Sequence, residues 1–347
     1  MRKTLLSICL ALAATTLCGQ TMTEGDVHSQ YILAVDEYKP APGQFINTLP
    51  AYKEGDDSET MAQKCTAAIA NNAGGMVTLG GYGGYITFHF DHSIANIQNE
   101  NDFYIAGNAF AGSSEPGVVM VSKDVNGNGI ADDPWYELAG SADTDSADKV
   151  IYNYEITYTA APMQDIPWTD NQGNNGTVDR NTFHGQEYFP LWIESPLVFQ
   201  GTLLPSNCYD SSGNGTYWVL NAYRYGYVDN LPNSDRDGCS FNIEWAVDNN
   251  RQPFHLDFVD FVRVYTGVNQ KAGWLGETST EVCGAEDLHL EASLDAIIAS
   301  SITSATNSDM PTAVVYYTLD GKRISAAQHG INIVRMSDGG IKKIIVK

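Results

Sequence analysis

Residues 85 to 90, YITFHF, place Ile86, Phe88 and Phe90 on one side of an extended chain and Tyr85, Thr87 and His89 on the other. That is the period of a half-buried strand. Short apolar-rich runs recur in FYIAGNAF, GVVMVS, VIYNYEITYT, TYWVLNAYRYGYV, FNIEWAV and FVRVYTGV, each bounded by clusters of Asn, Asp, Gly and Pro. In PFHLDFVDFVRVYT the alternation slips near Phe258 and Val259, which predicts a bulge or a tight connection. One segment carries helical spacing. Asp57 and Ser58 can cap it, Met61, Cys65, Ala68 and Ile69 share a face, and Gly74-Gly75 ends it. The glycines at 80, 81, 83 and 84 lie between strand-like residues and read as a bend or close packing rather than a phosphate cradle. Many short strands with one short helix predict an all-β chain whose main domain is a jelly-roll-like β-sandwich.

The two ends differ from this body. MRKTLLSICLALAATTLCGQT begins with Arg2 and Lys3, runs apolar from Leu5 to Ala14, and ends in small and polar residues, the pattern of a secretory signal. No other apolar run approaches the roughly 20 residues that a membrane helix needs. The expected layout is a signal peptide at 1–19, a β-sandwich body at 20–290, a Ser/Thr/Ala-rich linker at 291–311 and a small C-terminal β-domain at 312–347. In the last segment Leu319-Asp320-Gly321-Lys322 and Ser337-Asp338-Gly339-Gly340 read as hairpin turns between short apolar strands.

Charge narrows the partners. The chain has 42 acidic and 19 basic side chains, and removing residues 1–19 moves the net charge from −23 to −25 because Arg2 and Lys3 go. Such a surface repels nucleic acid and anionic membranes and favours cations. Cys65, Cys208, Cys239 and Cys283 are widely spaced and hold no CxxC pair, which argues against structural zinc. One or two disulfides are possible, four cysteines allow three pairings, and Cys208–Cys239 is the favoured one because both lie in polar, turn-rich segments.

The segment KDVNGNGIADDPWYEL concentrates the candidate chemistry. Asp124, Asn126, Asn128 and Asp132 occupy positions one, three, five and nine of a loop. Gly129 at six permits a sharp turn, and Ile130 at seven offers a backbone carbonyl. Ca²⁺ takes six to eight oxygens, and this spacing wraps oxygens around one centre. The pattern resembles the calcium loops of dockerin, thrombospondin type 3 and EF-hand proteins. It departs from them at position twelve, where Trp135 replaces the bidentate acid, so Asp133 or Glu137 has to complete the set. A structural Ca²⁺ is therefore expected, and a Gly/Asn-rich turn without an ion is the alternative. A second acidic cluster, Asp229, Asn230, Asp235 and Asp237, fits no fixed spacing and reads as a solvated turn. Asp145-Ser146-Ala147 matches a short O-glycosylation pattern of Bacteroidetes secreted proteins.

Trp135, Tyr136, Trp168 and Trp274 are candidate platforms for a sugar ring, with core packing as the alternative for each. Trp192 carries the same ambiguity. No GxSxG elbow, HExxH helix, P-loop or strand-to-helix GxGxxG occurs. Asp91-His92 and His184 could belong to a site. Glu277 and Glu281 would serve a glycosidase if a cleft held them about 5 to 9 Å apart. Nothing in the sequence assembles the roles of an enzyme, so a non-catalytic reading is preferred.

Two resemblances add to this. Tyr317-Thr318-Leu319-Asp320-Gly321, Gly330-Ile331-Asn332-Ile333-Val334, Asp338-Gly339 and the end Lys342-Lys343-Ile344-Ile345-Val346-Lys347 resemble the type A C-terminal sorting domain of the type IX secretion system of Bacteroidetes. Asn332 stands where that family often has Tyr. The resemblance implies passage across the outer membrane through that secretion machinery. The body, on EYKPAPGQFINTLP, LGGYGGYITFHFDHSI, SEPGVVMVSKDVNGNGIADDPWYELAGS, WTDNQGNNG, YGYVDN, VDFVRVYT and GWLGETSTEV, resembles a family of Bacteroidetes secreted cell surface proteins of poorly defined function. Together these imply a protein secreted or attached to the outer cell surface. The expected function is binding of a glycan or another nutrient ligand, and a corrinoid would be one such nutrient by analogy. A glycoside hydrolase or lyase and a structural or adhesive surface protein are the alternatives.

Overall fold

The computed structural model describes residues 28–145 and 149–292, and in the C-terminal part 313–317, 323–324, 328, 330–336 and 341–346. The signal segment, linker residues 293–311, Ser146-Ala147 and both proposed hairpin turns lie outside the described residues. The chain divides into two compact units, Met1–Leu294 and Asp295–Lys347.

The first unit is all-β and sandwich-like, with antiparallel sheets and one helix longer than a single turn. Its main sheet is built on the strand Tyr85–Ala95, flanked by Ala34–Lys39 on one side and Phe258–Thr266 on the other. Gly117–Ser122, Trp135–Leu138 and Ala246–Val247 continue the sheet outward. Alternation explains its two faces. Ile86 and Phe88 stand opposite Val264 and Val262 and bury into a first core, while Tyr265 and Val118 turn to a second.

The helix Ser58–Ile69 covers the first core with Met61, Ala62, Cys65 and Ile69. Asp57 caps it by accepting a hydrogen bond from the Thr60 amide at 2.8 Å. It ends before the predicted Gly74-Gly75, because a 3-10 turn at Ala70–Asn72 takes over with Asn71 at φ 51°. The strands Phe103–Ala106, Ser240–Phe241 and Gly284–Asp287 form a small sheet beside it, and Phe103 stacks on Phe241. A second sheet, ordered Leu197–Leu203, Ile151–Tyr158, Ile166–Asp170 and Asn175–Val178, packs on the opposite face. There Tyr82 meets Tyr154 edge to face at 4.9 Å within an aromatic-rich second core. The main sheet is therefore buried on both faces.

Of three local expectations, the single strand and the disulfide changed, and the slip near Phe258 and Val259 held. TYWVLNAYRYGYV is not one strand but two, Trp218–Leu220 and Tyr227–Val228, since Gly226 at φ 92° turns the chain between them. The slip near Phe258 and Val259 is a register break between Val259 and Phe261. The four thiols are unpaired, the Cys208 sulfur lying near the Lys271 carbonyl and the Cys239 sulfur near that of Leu231, which corrects the expected Cys208–Cys239 disulfide. Among the described residues no helix is long and apolar enough to cross a membrane.

The second unit holds a four-stranded antiparallel sheet, ordered Arg323–Ile324, Ala313–Tyr317, Gly330–Met336 and Ile341–Val346. Asn332 is buried, and its amide exchanges two hydrogen bonds with the Gln328 backbone.

Candidate functional site

The segment 124–133 curls around its own side chains. Asp124 accepts from the amides of Gly127 at 2.7 Å, Asn128 at 3.1 Å and Gly129 at 2.7 Å. Asn126 and Asn128 both donate their side-chain NH₂ groups to Asp132, and Asp133 accepts from the Val125 amide at 3.0 Å. Gly129 sits at φ 70°, a left-handed turn that a side chain would strain. The Asp124 amide donates to Asp260 at 2.7 Å, which ties the loop to the main sheet. Asp124, Asn126, Asn128, Asp132 and Asp133 are thus held in one short loop by hydrogen bonds to its own amides, and their oxygens are of the hard type that Ca²⁺ takes.

The Ile130 carbonyl accepts from the Asp132 amide at 2.8 Å and keeps a second lone pair. Glu137 points elsewhere, taking a hydrogen bond from Thr202 and pairing with Arg251 at 2.6 Å, which leaves Asp133 as the acid at the end of the loop. At position twelve, Trp135 is half-buried under the Arg263 guanidinium. Tyr136 is half-buried as well and stacks on Phe254 at 4.0 Å. Neither offers an open platform.

Trp274 behaves differently. It lies on the 3-10 turn Gly273–Leu275 and is 55% exposed, with Phe183 edge to face at 6.4 Å and 75% exposed. Both stand on a cleft of about 420 Å³ whose inner wall carries Gln44, Glu115, Asn181 and Glu277. His184 also lines it, packed edge to face on Phe45 at 4.6 Å. Asn181 holds the aromatic wall in place by donating to the Trp274 carbonyl at 3.0 Å. Trp168 lies apart, half-buried on the second core, and lines a smaller cavity of about 170 Å³ that Glu277 borders as well.

Glu277 is the unusual group. One carboxyl oxygen accepts from the Gln44 amide at 2.6 Å, and the other is buried without a hydrogen-bond partner among the described residues. Burial pushes its carboxyl up to about 8, so it carries its proton at neutral pH. Gly43 makes this approach feasible, since a Cβ there would lie 2.6 Å from the Glu277 carboxyl oxygen and 2.9 Å from the Gly80 Cα.

Glu281 does not face Glu277 across the cleft. It is buried behind the wall, where it accepts from the Thr78 hydroxyl at 3.0 Å and gathers with Glu115 and Asp229. One ligand atom from each of these three acids lies within 4.8 Å of the other two. Burial, reinforced by the neighbouring acids, holds Glu115 and Glu281 well above the usual carboxylate range, and burial raises Asp229 to about 7. Asp229 and Asn230 are buried rather than part of a solvated turn, Asn230 bonding the Tyr223 backbone. Asp235 caps a local turn and Asp237 accepts from Asn101. Sequence reasoning missed Glu115, Phe183, Gln44 and Asn181. Asn and Phe beside His184 in RNTFHG gave a weak signal, and Glu115 gave none. Compared with known protein families and with characterised proteins, the chain matches none.

Proposed function

We propose that this protein is a non-catalytic binding module of the outer cell surface that holds a glycan, or a similar polyhydroxylated nutrient, in the Trp274–Phe183 cleft. The observation that carries the reading is an exposed aromatic pair beside a cleft whose wall holds the Glu277 carboxyl oxygen left unpartnered among the described residues. An indole face covers the apolar side of a sugar ring and the protonated Glu277 can address a hydroxyl, while Gln44 and Asn181, bonded to the Leu275 and Trp274 carbonyls, fix the wall. In this reading Ca²⁺ staples the 124–133 loop, and the C-terminal unit serves as the sorting signal for export.

A glycosidase-type enzyme is the second reading, and the protonated Glu277 in a cleft is what favours it. Such enzymes work with two carboxyl groups flanking the bond. Here Glu115, the other acid on the cleft, is engaged with Glu281 and Asp229, so the binding role is the better supported.

A glycan array followed by calorimetry on the full chain tests both. The binding reading expects a micromolar-class ligand whose affinity falls about 30-fold in Trp274→Ala, the loss of about 2 kcal/mol typical of an aromatic anchor. Equal affinity in that variant, or no ligand on a broad array, would overturn it. Release of reducing ends that Glu277→Gln abolishes would move the conclusion to the enzyme.

A further inference from the structure

The register break in the main sheet has a chemical consequence. Pairing with Phe258–Thr266 runs through Phe261↔His89 and resumes at Val259↔Ile94. Two positions on one strand therefore span five on the other, and Phe90–Ser93 leave that ladder. Asp91 and His92 are thereby presented to a cavity of about 420 Å³ that also touches Asp124 and Gly129 of the acidic loop.

Three ligand-type side chains meet at this point. The same Asp91 oxygen lies 2.6 Å from His92 Nδ1 and 3.4 Å from His28 Nδ1. The other Asp91 oxygen accepts from the Ser29 amide at 3.0 Å, which fixes the carboxylate plane. Behind His92, Nε2 lies 2.7 Å from an oxygen of Asp287, and both side chains are almost fully buried. A neutral imidazole carries one N–H. When Asp287 accepts it, the Nδ1 lone pair is aimed at a carboxylate oxygen, a repulsive contact unless a positive charge stands between them. A second proton can supply that charge, and so can a metal ion. His28 Nδ1, directed at the same oxygen, is a third donor that a lone proton on His92 does not require.

We propose that His28, Asp91 and His92 form a binding site for a zinc-class divalent ion, with Asp287 as the carboxylate that orients His92. One ligand atom from each of the three lies within 4.8 Å of the others. Tetrahedral bonds of about 2.0 to 2.1 Å put ligand atoms roughly 3.3 Å apart. The His28–Asp91 separation already matches, and the Asp91–His92 pair opens by less than about 1 Å on that same geometry. A carboxylate behind a ligating histidine is the arrangement that fixes its tautomer and raises its basicity. Nitrogen donors select borderline ions over Ca²⁺, so this site and the oxygen-only loop across the cavity take different metals. Three protein ligands leave a fourth position for water or a small donor from the cavity.

The test uses the full chain, stripped with chelator, returned to excess Ca²⁺ and titrated with Co²⁺ as a visible probe, then with Zn²⁺. The expected result is one equivalent of Co²⁺ with a tetrahedral spectrum, displaced by Zn²⁺. His28→Ala, outside both hydrophobic cores, should bind at least tenfold more weakly, and Asp287→Asn about 10-fold to 100-fold more weakly. If Asp287→Asn fails to fold, His28→Ala decides alone. Equal binding by wild type and His28→Ala overturns the proposal. So does the lack of any Co²⁺ or Zn²⁺ binding by wild type, and two N–H resonances on His92 at neutral pH would then make a proton the occupant.

Discussion

Replacing Glu277 by glutamine isolates one buried proton. Glutamine copies the protonated acid: its oxygen can keep the 2.6 Å bond from the Gln44 amide, and its NH₂ takes the place of the acid proton. The carboxyl rises from an ordinary 4.5 to about 8 in the folded chain. Below pH 4.5 both states hold the proton and the group is neutral in its effect. Between 4.5 and 8 the unfolded chain releases it while the folded chain does not, so wild-type stability falls as pH rises. At about 1.4 kcal/mol per unit the full loss is several kcal/mol, most of which falls between pH 5 and pH 8. Glu277→Gln lacks this loss. Urea unfolding of both proteins at pH 5, 6, 7 and 8, with Ca²⁺ held constant, should show curves that nearly meet at pH 5. By pH 8 the variant should be more stable by several kcal/mol. The Glu115, Asp229 and Glu281 cluster is present in both proteins and largely cancels in the difference. Parallel stability curves across that range would refute the buried, proton-carrying Glu277.

Two other outcomes follow from the same geometry. Excess Ca²⁺ should raise the melting temperature of the full chain by several degrees over chelator, since saturation a hundredfold above the dissociation constant is worth about 2.7 kcal/mol. Mg²⁺ should not substitute, and Asp124→Ala, which removes the acceptor of three loop amides, should abolish the response; identical melting in Ca²⁺ and chelator would sink the staple. Gly43→Ala should cost about 1 to 3 kcal/mol by overpacking against Glu277 and Gly80, and a neutral result in a denaturant melt would show that the wall yields.

The strands and the helix were legible because their signals are local. Ile86, Phe88 and Phe90 alternate, and Asp57 caps a run with Met61, Cys65 and Ile69 on one face. The acidic loop was legible for the same reason, its oxygens being spaced within ten residues. What failed was non-local. Glu137 looked available until Arg251, far along the chain, proved to be its partner. Trp135 looked open until the Arg263 guanidinium covered it. The cleft needed Gln44, Glu115, Asn181 and Glu277 to be brought together by strands that pair across the whole body, and no spacing encodes that. Glu281 lies four residues from Glu277, a spacing that left open whether one cleft holds both, and those four residues carry it behind the wall.

The excess of acid in this chain therefore has two different meanings that sequence cannot separate. In the 124–133 loop the carboxylates stand at the surface and accept from backbone amides, and on the proposed reading their negative charge is what would hold a cation. Around the cleft, Glu115, Asp229, Glu277 and Glu281 are withdrawn from water, and burial holds each above the ordinary carboxylate range. Four ionised carboxylates so close together would repel one another in a low dielectric, so protons are retained among them, and Glu277 keeps one at neutral pH. A hydroxyl-rich ligand needs donors as well as acceptors, and a protonated Glu277 supplies a donor where an ionised one would supply none. On the binding reading, affinity in the cleft should weaken as pH rises through about 8, where Glu277 loses its proton, while Ca²⁺ binding to the loop should persist. The opposed pH responses would separate the two kinds of acid in one titration, and a cleft affinity that stays constant across that pH would remove Glu277 from ligand recognition.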